Sequence, residues 1–272
     1  MDLGGRSVVL TGASGGIGAA LCGELVAAGT RVLAIGRDPL RLAALASRHP
    51  PGRVLPLPAD LSSDSGRAQV LAAACVLQAP PSLLLIAHAQ SGFGLFAEQS
   101  GQELQRMLET NLLAPMLLVH ALLPLLQAQP QAAVVAVGST FGSLGFPGFA
   151  GYSASKFGLR GLIEALSREY ADRHVRFQYL APRATRTAFN TAQVDALNQE
   201  LKVGADSPER VARALREAIE RGDTRLQIGW PEKLFARLNG ALPGLVDRSL
   251  KAQLPVVRRH AASVASTPGE SR

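Results

Sequence analysis

Tyr152 and Lys156 stand four residues apart in the stretch Tyr152-Ser153-Ala154-Ser155-Lys156. On a helix that spacing sets a phenol and an ammonium on one face, about a turn apart. Between Thr110 and Ser155 there is no Asp, Glu, Lys or Arg, so Lys156 closes a long uncharged run and is expected against a core. A cation in a low-dielectric setting acts strongly on its neighbours and would draw a phenol of ordinary pKa about 10 toward neutrality. A tyrosine tuned in that way gives and takes protons near physiological pH. The bland alternative is an aromatic and a snorkelling lysine that share a helix face, and the pair alone does not separate the two readings.

Holding such a pair needs a scaffold, and the chain supplies an alternation of short apolar runs and helical stretches. Ser7-Val8-Val9-Leu10 reads as a strand buried on both faces. It leads into Thr11-Gly12-Ala13-Ser14-Gly15-Gly16-Ile17-Gly18 and a helix that stops at Gly29. The glycines permit a tight turn and close backbone approach, and the helix N-terminus offers free N–H groups, the setting for a dinucleotide pyrophosphate. A second strand, Arg31 to Ile35, ends at Gly36-Arg37-Asp38. An arginine there accommodates the 2′-phosphate of NADP, whereas an acid holds the ribose hydroxyls of NAD. Arg37 therefore favours NADP(H), and Asp38, one position on, leaves NAD(H) open.

Asp60, after a third strand at Val54 to Leu57, is expected to cap the next helix or to touch the adenine end of a cofactor. A fourth strand, Ser82 to Ala87, delivers Ala87-His88-Ala89-Gln90. In the helix that follows, Pro115 has no N–H for the carbonyl of Asn111, so a kink is expected there, with an ordered water as partner. Further strands are read at Val134 to Val137, before Gly138-Ser139-Thr140, at Val175 to Leu180, before Ala181-Pro182-Arg183, and at Arg225 to Ile228. The implied architecture is α/β: a Rossmann-type doubly wound parallel sheet of about seven strands flanked by helices, with a C-terminal helical extension.

In this order the motifs resemble the classical short-chain dehydrogenase/reductase family over about Ser7 to Ile228. Thr11 to Gly18 fits its TGxxxGxG turn, Asn111 its helical asparagine, Ser139 its serine, and Tyr152 with Lys156 its YxxxK. The resemblance implies an NADP-dependent oxidoreductase that interconverts a carbonyl and a secondary alcohol by hydride transfer. Tyr152 would exchange a proton with the substrate oxygen, Ser139 would orient the carbonyl, Lys156 would bind the nicotinamide ribose and lower the Tyr152 pKa, and Asn111 would hold a relay water. Cofactor contacts would fall to Gly12, Ser14, Gly15, Gly16, Ile17 and Gly18, to Arg37, Asp60 and Ala89, to Tyr152 and Lys156, and to Pro182 and Thr187. Family members are commonly dimers or tetramers, so a homodimer or homotetramer is implied.

Two departures accompany the match. The family's NNAG is here Ala87-His88-Ala89-Gln90, and its Pro-Gly is Pro182-Arg183, in a frame that keeps Thr187. His88 reads either as a replacement for one asparagine or as a buried structural histidine. A rival reading is a non-catalytic nucleotide-sensing or membrane-peripheral scaffold that kept the fold. The intact Asn111, Ser139, Tyr152 and Lys156 argue against it, and the altered segment at His88 argues mildly for it.

The 272 residues, 47% hydrophobic with 27 Gly and 17 Pro, suit one large α/β domain. Residues 1–229 are read as the dinucleotide-binding and catalytic part, 230–260 as an amphipathic helical extension and 261–272 as a disordered tail. Cys22 and Cys75 lie far apart and form no metal or redox spacing, so no metal is expected. Leu112 to Leu126, interrupted by Pro115, His120 and Pro124, is too short to span a bilayer and reads as a buried helix. No cleavable leader is recognised at the start, and a cytoplasmic protein is expected, peripheral at most to the inner face of a membrane.

The net charge of +7 raises the question of nucleic acid, but the arginines are scattered without interleaved aromatics, and none is expected as a partner. Positive charge gathers at the end, where seven basic residues from Trp230 to Arg272 stand against three acidic ones. Among them Leu234, Leu238, Leu242, Leu245 and Val246 follow helical spacing, broken at Pro243-Gly244. Such a segment can lie on a membrane, cap the substrate cleft or cover a neighbouring subunit. It carries the expectation of a small-molecule carbonyl or alcohol substrate that is hydrophobic or lipid-like.

Overall fold

Runs of Val, Leu, Ile and Ala that alternate with helices can bury both faces only in a parallel sheet, since each helix returns the chain to the same sheet end. The computed structural model, which describes residues 1–265, has that form. Its strands are β1 (Ser7–Thr11), β2 (Arg31–Gly36), β3 (Val54–Pro58), β4 (Pro81–Ile86), β5 (Ala132–Val137), β6 (Val175–Ala181) and β7 (Arg225–Gln227). They pair in parallel in the order β3-β2-β1-β4-β5-β6-β7. The order reverses between β1 and β4, whose ends lie side by side with Thr11 opposite Ile86. In such sheets the crevice beyond the strand ends at this reversal is where ligands bind.

The helices are α1 (Gly16–Ala27), α2 (Pro39–Ala46), α3 (Asp64–Cys75), α4 (Gly101–Leu108), α5 (Ala114–Gln127), α6 (Ala150–Glu169), α7 (Ala192–Glu200), α8 (Pro208–Arg221), α9 (Glu232–Ala241) and α10 (Pro243–Ala265). One core lies between the sheet and α1 with α8, where Leu21, Leu25, Val211, Leu215 and Ile219 are buried. The other lies under α5 and α6, around Leu118, Leu122, Leu159 and Ile163. Burial of β1, β4 and β5 on both faces is therefore complete.

Between α4 and α5 the chain makes a π-helical turn, Glu109–Leu113. It falls where Pro115 withholds the N–H that Asn111 would have received, so the expected break takes the form of a widened turn. The continuous helical run Gly101–Gln127 is long and apolar enough to cross a membrane by length and composition, in contrast to the shorter segment read from the sequence. Ala114, Leu118, Leu122 and Leu126 are nevertheless buried against the sheet, which makes its α5 part a core helix. Helix α7 was not read from the sequence. The extension breaks at Leu242, as its Pro-Gly implied, but α10 runs on to Ala265, past the expected start of the tail, whose remaining residues 266–272 lie outside the described residues.

Candidate active site

The segments after β1, β2, β4, β5 and β6 open onto one cleft of about 770 Å³. Gly12, Ser14, Gly15, Gly16, Ile17 and Gly18 line its base, and Arg37, Asp60, Ala89, Ser139, Tyr152, Lys156, Pro182 and Thr187 complete the expected set. Asn111 alone among the expected residues is not on the wall.

Close packing explains the glycines. Gly12 has φ +65, and a Cβ on it would fall 2.7 Å from the His88 backbone. A Cβ on Gly18 would meet the Gly12 oxygen at 2.1 Å, and one on Gly16 would meet the Thr187 side chain at 2.4 Å. The turn is thus folded against the end of β4 and under the loop after β6. Gly15 precedes α1 as an N-cap with no side chain, the first turn carries no acid, and Gly15 to Gly18 line the cleft, so the free N–H groups of the helix start form an anion site there. Backbone cradle, helix N-terminus and Arg37 together fit a phosphorylated dinucleotide. Arg41, missed by sequence reasoning, also lines the cleft and donates to the Ser14 carbonyl at 2.9 Å.

Asp38 accepts from Leu40 N at 2.9 Å and Arg41 N at 3.1 Å, so its carboxylate is engaged in capping α2. Asp60 caps nothing: Ser63 caps α3 by accepting from Gly66 N at 3.0 Å, while Asp60 accepts from Ser62 N at 3.0 Å and stays on the cleft wall. A one-turn shift of the helix start moved the capping task to the serine.

At the end of β4, Thr11 Oγ1 lies 2.7 Å from His88 Nδ1, accepts from Ala87 N at 3.1 Å and donates to the Leu85 carbonyl at 3.2 Å. This knot ties β4 to β1 where the family's asparagines are absent. Burial above all, with the charges of Lys156 and Arg37 adding, pulls the His88 pKa down to about 4, so the ring is neutral near pH 7. Asn111 is fully buried. Its amide donates to the Gln90 carbonyl at 2.9 Å and to Ser155 Oγ at 3.1 Å, and its oxygen accepts from Gln90 N at 2.7 Å. The side chain therefore ties the loop after β4 to α6, and any relay through this residue falls to its backbone carbonyl.

Ser139 follows β5 in an extended conformation, and its Oγ accepts from Phe141 N at 3.1 Å. Its own N–H donates to the Tyr179 hydroxyl at 3.3 Å. A Cβ on Gly138 or Gly142 would overlap the Tyr179 ring or hydroxyl, so both glycines make room for this strut from β6. Sequence reasoning passed over Tyr179. The available signal was a phenol in a buried apolar strand, which needs a polar partner.

Tyr152 and Lys156 occupy the first two turns of α6, both buried and both on the cleft. Lys156 Nζ donates to the Val137 carbonyl at 3.3 Å and lies 5.8 Å from the centroid of the Tyr152 ring. Burial pushes the Tyr152 hydroxyl up to about 12, with the Ser139 hydroxyl pulling the other way, and draws Lys156 down to about 8. The expected lowering of the Tyr152 pKa is thus not delivered by the packing. Low dielectric disfavours both ions, and the ammonium is placed over the ring.

Apolar groups wall the outer cleft. Phe149 and Phe189 approach the Tyr152 ring at 6.5 and 6.2 Å between centroids, and Phe141 stacks on Phe146 at 5.2 Å. Val194 and Leu197 from α7, Phe235 from α9 and Val246 and Leu250 from α10 close the far side. Arg183 fastens this cover. It pairs bidentately with Asp206, at 2.9 and 3.0 Å, donates to the Trp230 carbonyl at 2.7 Å and lies 3.6 Å from Glu232.

Residues 6–198 match the family model described as short chain dehydrogenase. The chain belongs to the short chain dehydrogenase family. Oxidoreductase claN of Passalora fulva is 31% identical over 216 residues, 78% of this chain and 97% of the relative. The 3-dehydrosphinganine reductase of Danio rerio is 26% identical, over 81% of this chain and 70% of its own. Among solved structures, a short-chain dehydrogenase from Streptomyces avermitilis superposes with a TM-score of 0.78 at 28% identity, covering 93% of this chain and 98% of its own. One from Burkholderia cenocepacia J2315 in complex with NADP reaches 0.79 at 22%, covering 92% and 99%, and shares the fold. This short chain dehydrogenase is accordingly an NAD(P)-dependent oxidoreductase.

Proposed function

We propose that the protein is an NADP-dependent reductase of an apolar, lipid-like ketone, or the dehydrogenase of the matching secondary alcohol. The observation that carries this reading is the meeting of Ser139, Tyr152 and Lys156 with the glycine turn on the wall of one cleft whose outer part is phenyl and aliphatic. The bound nicotinamide supplies or accepts the hydride. Tyr152 gives or takes the proton at the carbonyl oxygen, and its high pKa keeps it the protonated partner when the ketone is reduced. Ser139 Oγ orients that oxygen, and Lys156 holds the nicotinamide ribose. Arg37 on the cleft wall supports the choice of NADP, and the capping of α2 by Asp38 Oδ1 agrees with it. The Danio rerio relative is named as a reductase of 3-dehydrosphinganine, which agrees with an apolar substrate behind the phenyl-lined cover here.

The test follows NADPH and NADH oxidation against ketones of rising chain length. Wild type is expected to favour NADPH and longer chains, and Tyr152→Phe to lose more than about a hundredfold in kcat. Equal oxidation by the two proteins would remove the catalytic assignment of Tyr152.

A further inference from the structure

Helix α9 and the start of α10 turn opposite faces to two surroundings. On the inner side Phe235, Val246 and Leu250 line the cleft. On the outer side Leu234 stands exposed on α9, with Trp230 just before the helix and Leu242 just after it. Trp230 is 67% exposed, Leu234 51%, Leu242 54% and Leu245 58%, and α9 has no buried residue. Exposed apolar groups on a protein are ordinarily scattered singly, and a row of them marks a contact surface.

Lys233, Arg237, Arg248 and Lys251 are interleaved with this row, and none of the four makes an ion pair among the described residues. The acids nearby do not neutralise them. Glu232 is turned to Arg183, and Asp247 stands alone against the four. The corner is held in place from behind, by Arg183 on the Trp230 carbonyl and by Asn239 Nδ2 donating to the Ser143 carbonyl at 3.0 Å.

We infer that this corner docks on an anionic lipid bilayer, with Trp230, Leu234, Leu242 and Leu245 in the interface and the four cations at the headgroups. Tryptophan and leucine beside lysine and arginine is the composition that partitions into the interfacial zone. A second copy of the chain fits the surface poorly. A two-fold contact would set each copy's unpaired cations against the same cations of its partner, whereas anionic headgroups neutralise them. The inner face of the same helices lines the cleft, so a bilayer-dissolved ketone would enter beside the docking surface. That last step rests on the proposed substrate, and the docking itself does not.

The test is sedimentation of the full chain with vesicles of phosphatidylcholine alone or with about one-third phosphatidylserine. Wild type is expected to bind the anionic vesicles at least about tenfold more tightly than the neutral ones, with most of that difference lost at about 1 M salt. Leu234→Glu with Leu242→Glu, and separately Lys233→Glu with Arg237→Glu, should each weaken binding by about tenfold or more, with melting temperature and NADPH binding unchanged. The inference is overturned by no binding to anionic vesicles, by equal binding to both kinds, or by full binding in both variants. A concentration-dependent dimer in light scattering that Leu234→Glu with Leu242→Glu breaks, without vesicle binding, overturns it in favour of a second copy.

Discussion

Lys156 is a cation placed where water is scarce. Its folded pKa, about 8, is below the 10.5 of the free side chain, so between these values the unfolded chain holds more protons than the folded one. Stability should therefore rise with pH from about 8 to about 10.5, and below 8 the fold bears the full penalty of the charge, at most about 3 kcal/mol. Lys156→Met is expected to abolish turnover and yet raise stability at pH 7 by about 1–3 kcal/mol, the loss of the Val137 hydrogen bond offsetting part of the gain. Urea unfolding at pH 7 and at pH 10.5 checks it, and a less stable variant at pH 7 would sink the argument. His88 shows the same sign at acid pH. With a folded pKa of about 4 against 6.5, its contribution is intact above about 6.5 and is lost as pH falls through 4. His88→Asn should flatten the decline of the urea midpoint between pH 6.5 and 4, and an unchanged slope would show that other groups drive it.

The elements that meet at the cleft are tied by polar links that cross between them. Asn111 joins the loop after β4 to α6, Tyr179 joins β6 to the Ser139 turn, and Arg183 joins the loop after β6 to Asp206 and to the extension. The Arg183 side chain occupies space beside Gly204 and Gly229, where a Cβ would fall 2.8 Å from its guanidinium and 2.5 Å from its stem. Arg183→Gly, which restores the residue usual in the family, leaves Asp206 buried beside the more exposed Arg210 alone. A loss of about 2–4 kcal/mol is expected, together with faster amide exchange confined to residues 230–250 and a raised KM for a long-chain ketone. Unchanged exchange in that stretch would show that the arginine does not fasten the cover.

On the scale of the whole molecule, Leu113, Met116 and Leu117 on the π-helical turn and α5 and Phe157 on α6 stay exposed on one side of the sheet. The three share a helix face, and α5 packs on α6, so the patch is a natural seat for a second copy. Leu117→Arg with Phe157→Arg is expected to convert a dimer or tetramer into a monomer in light scattering, and a monomeric wild type would refute that assembly. The opposite end, with its cover of α7, α9 and α10, is where apolar substrate and bilayer would be met.

Residue types and spacing determined the sheet, the glycine turn and the Tyr152–Lys156 pair. Strand and helix periods, φ freedom at glycine and four-residue spacing are local properties, and they are readable one segment at a time. The sequence also located the break at Asn111, because the missing N–H of Pro115 is a covalent fact. Only the tertiary structure decided that Asp38 and Asp60 differ in task, since a cap depends on which backbone N–H groups a short turn presents. Only it showed that Lys156 lies over the Tyr152 ring and that burial raises the phenol's pKa, because desolvation depends on every neighbour at once. The roles of Tyr179, Arg41 and Arg183 were hidden for the same reason: each acts on a segment distant in sequence, through a contact that the fold alone brings about.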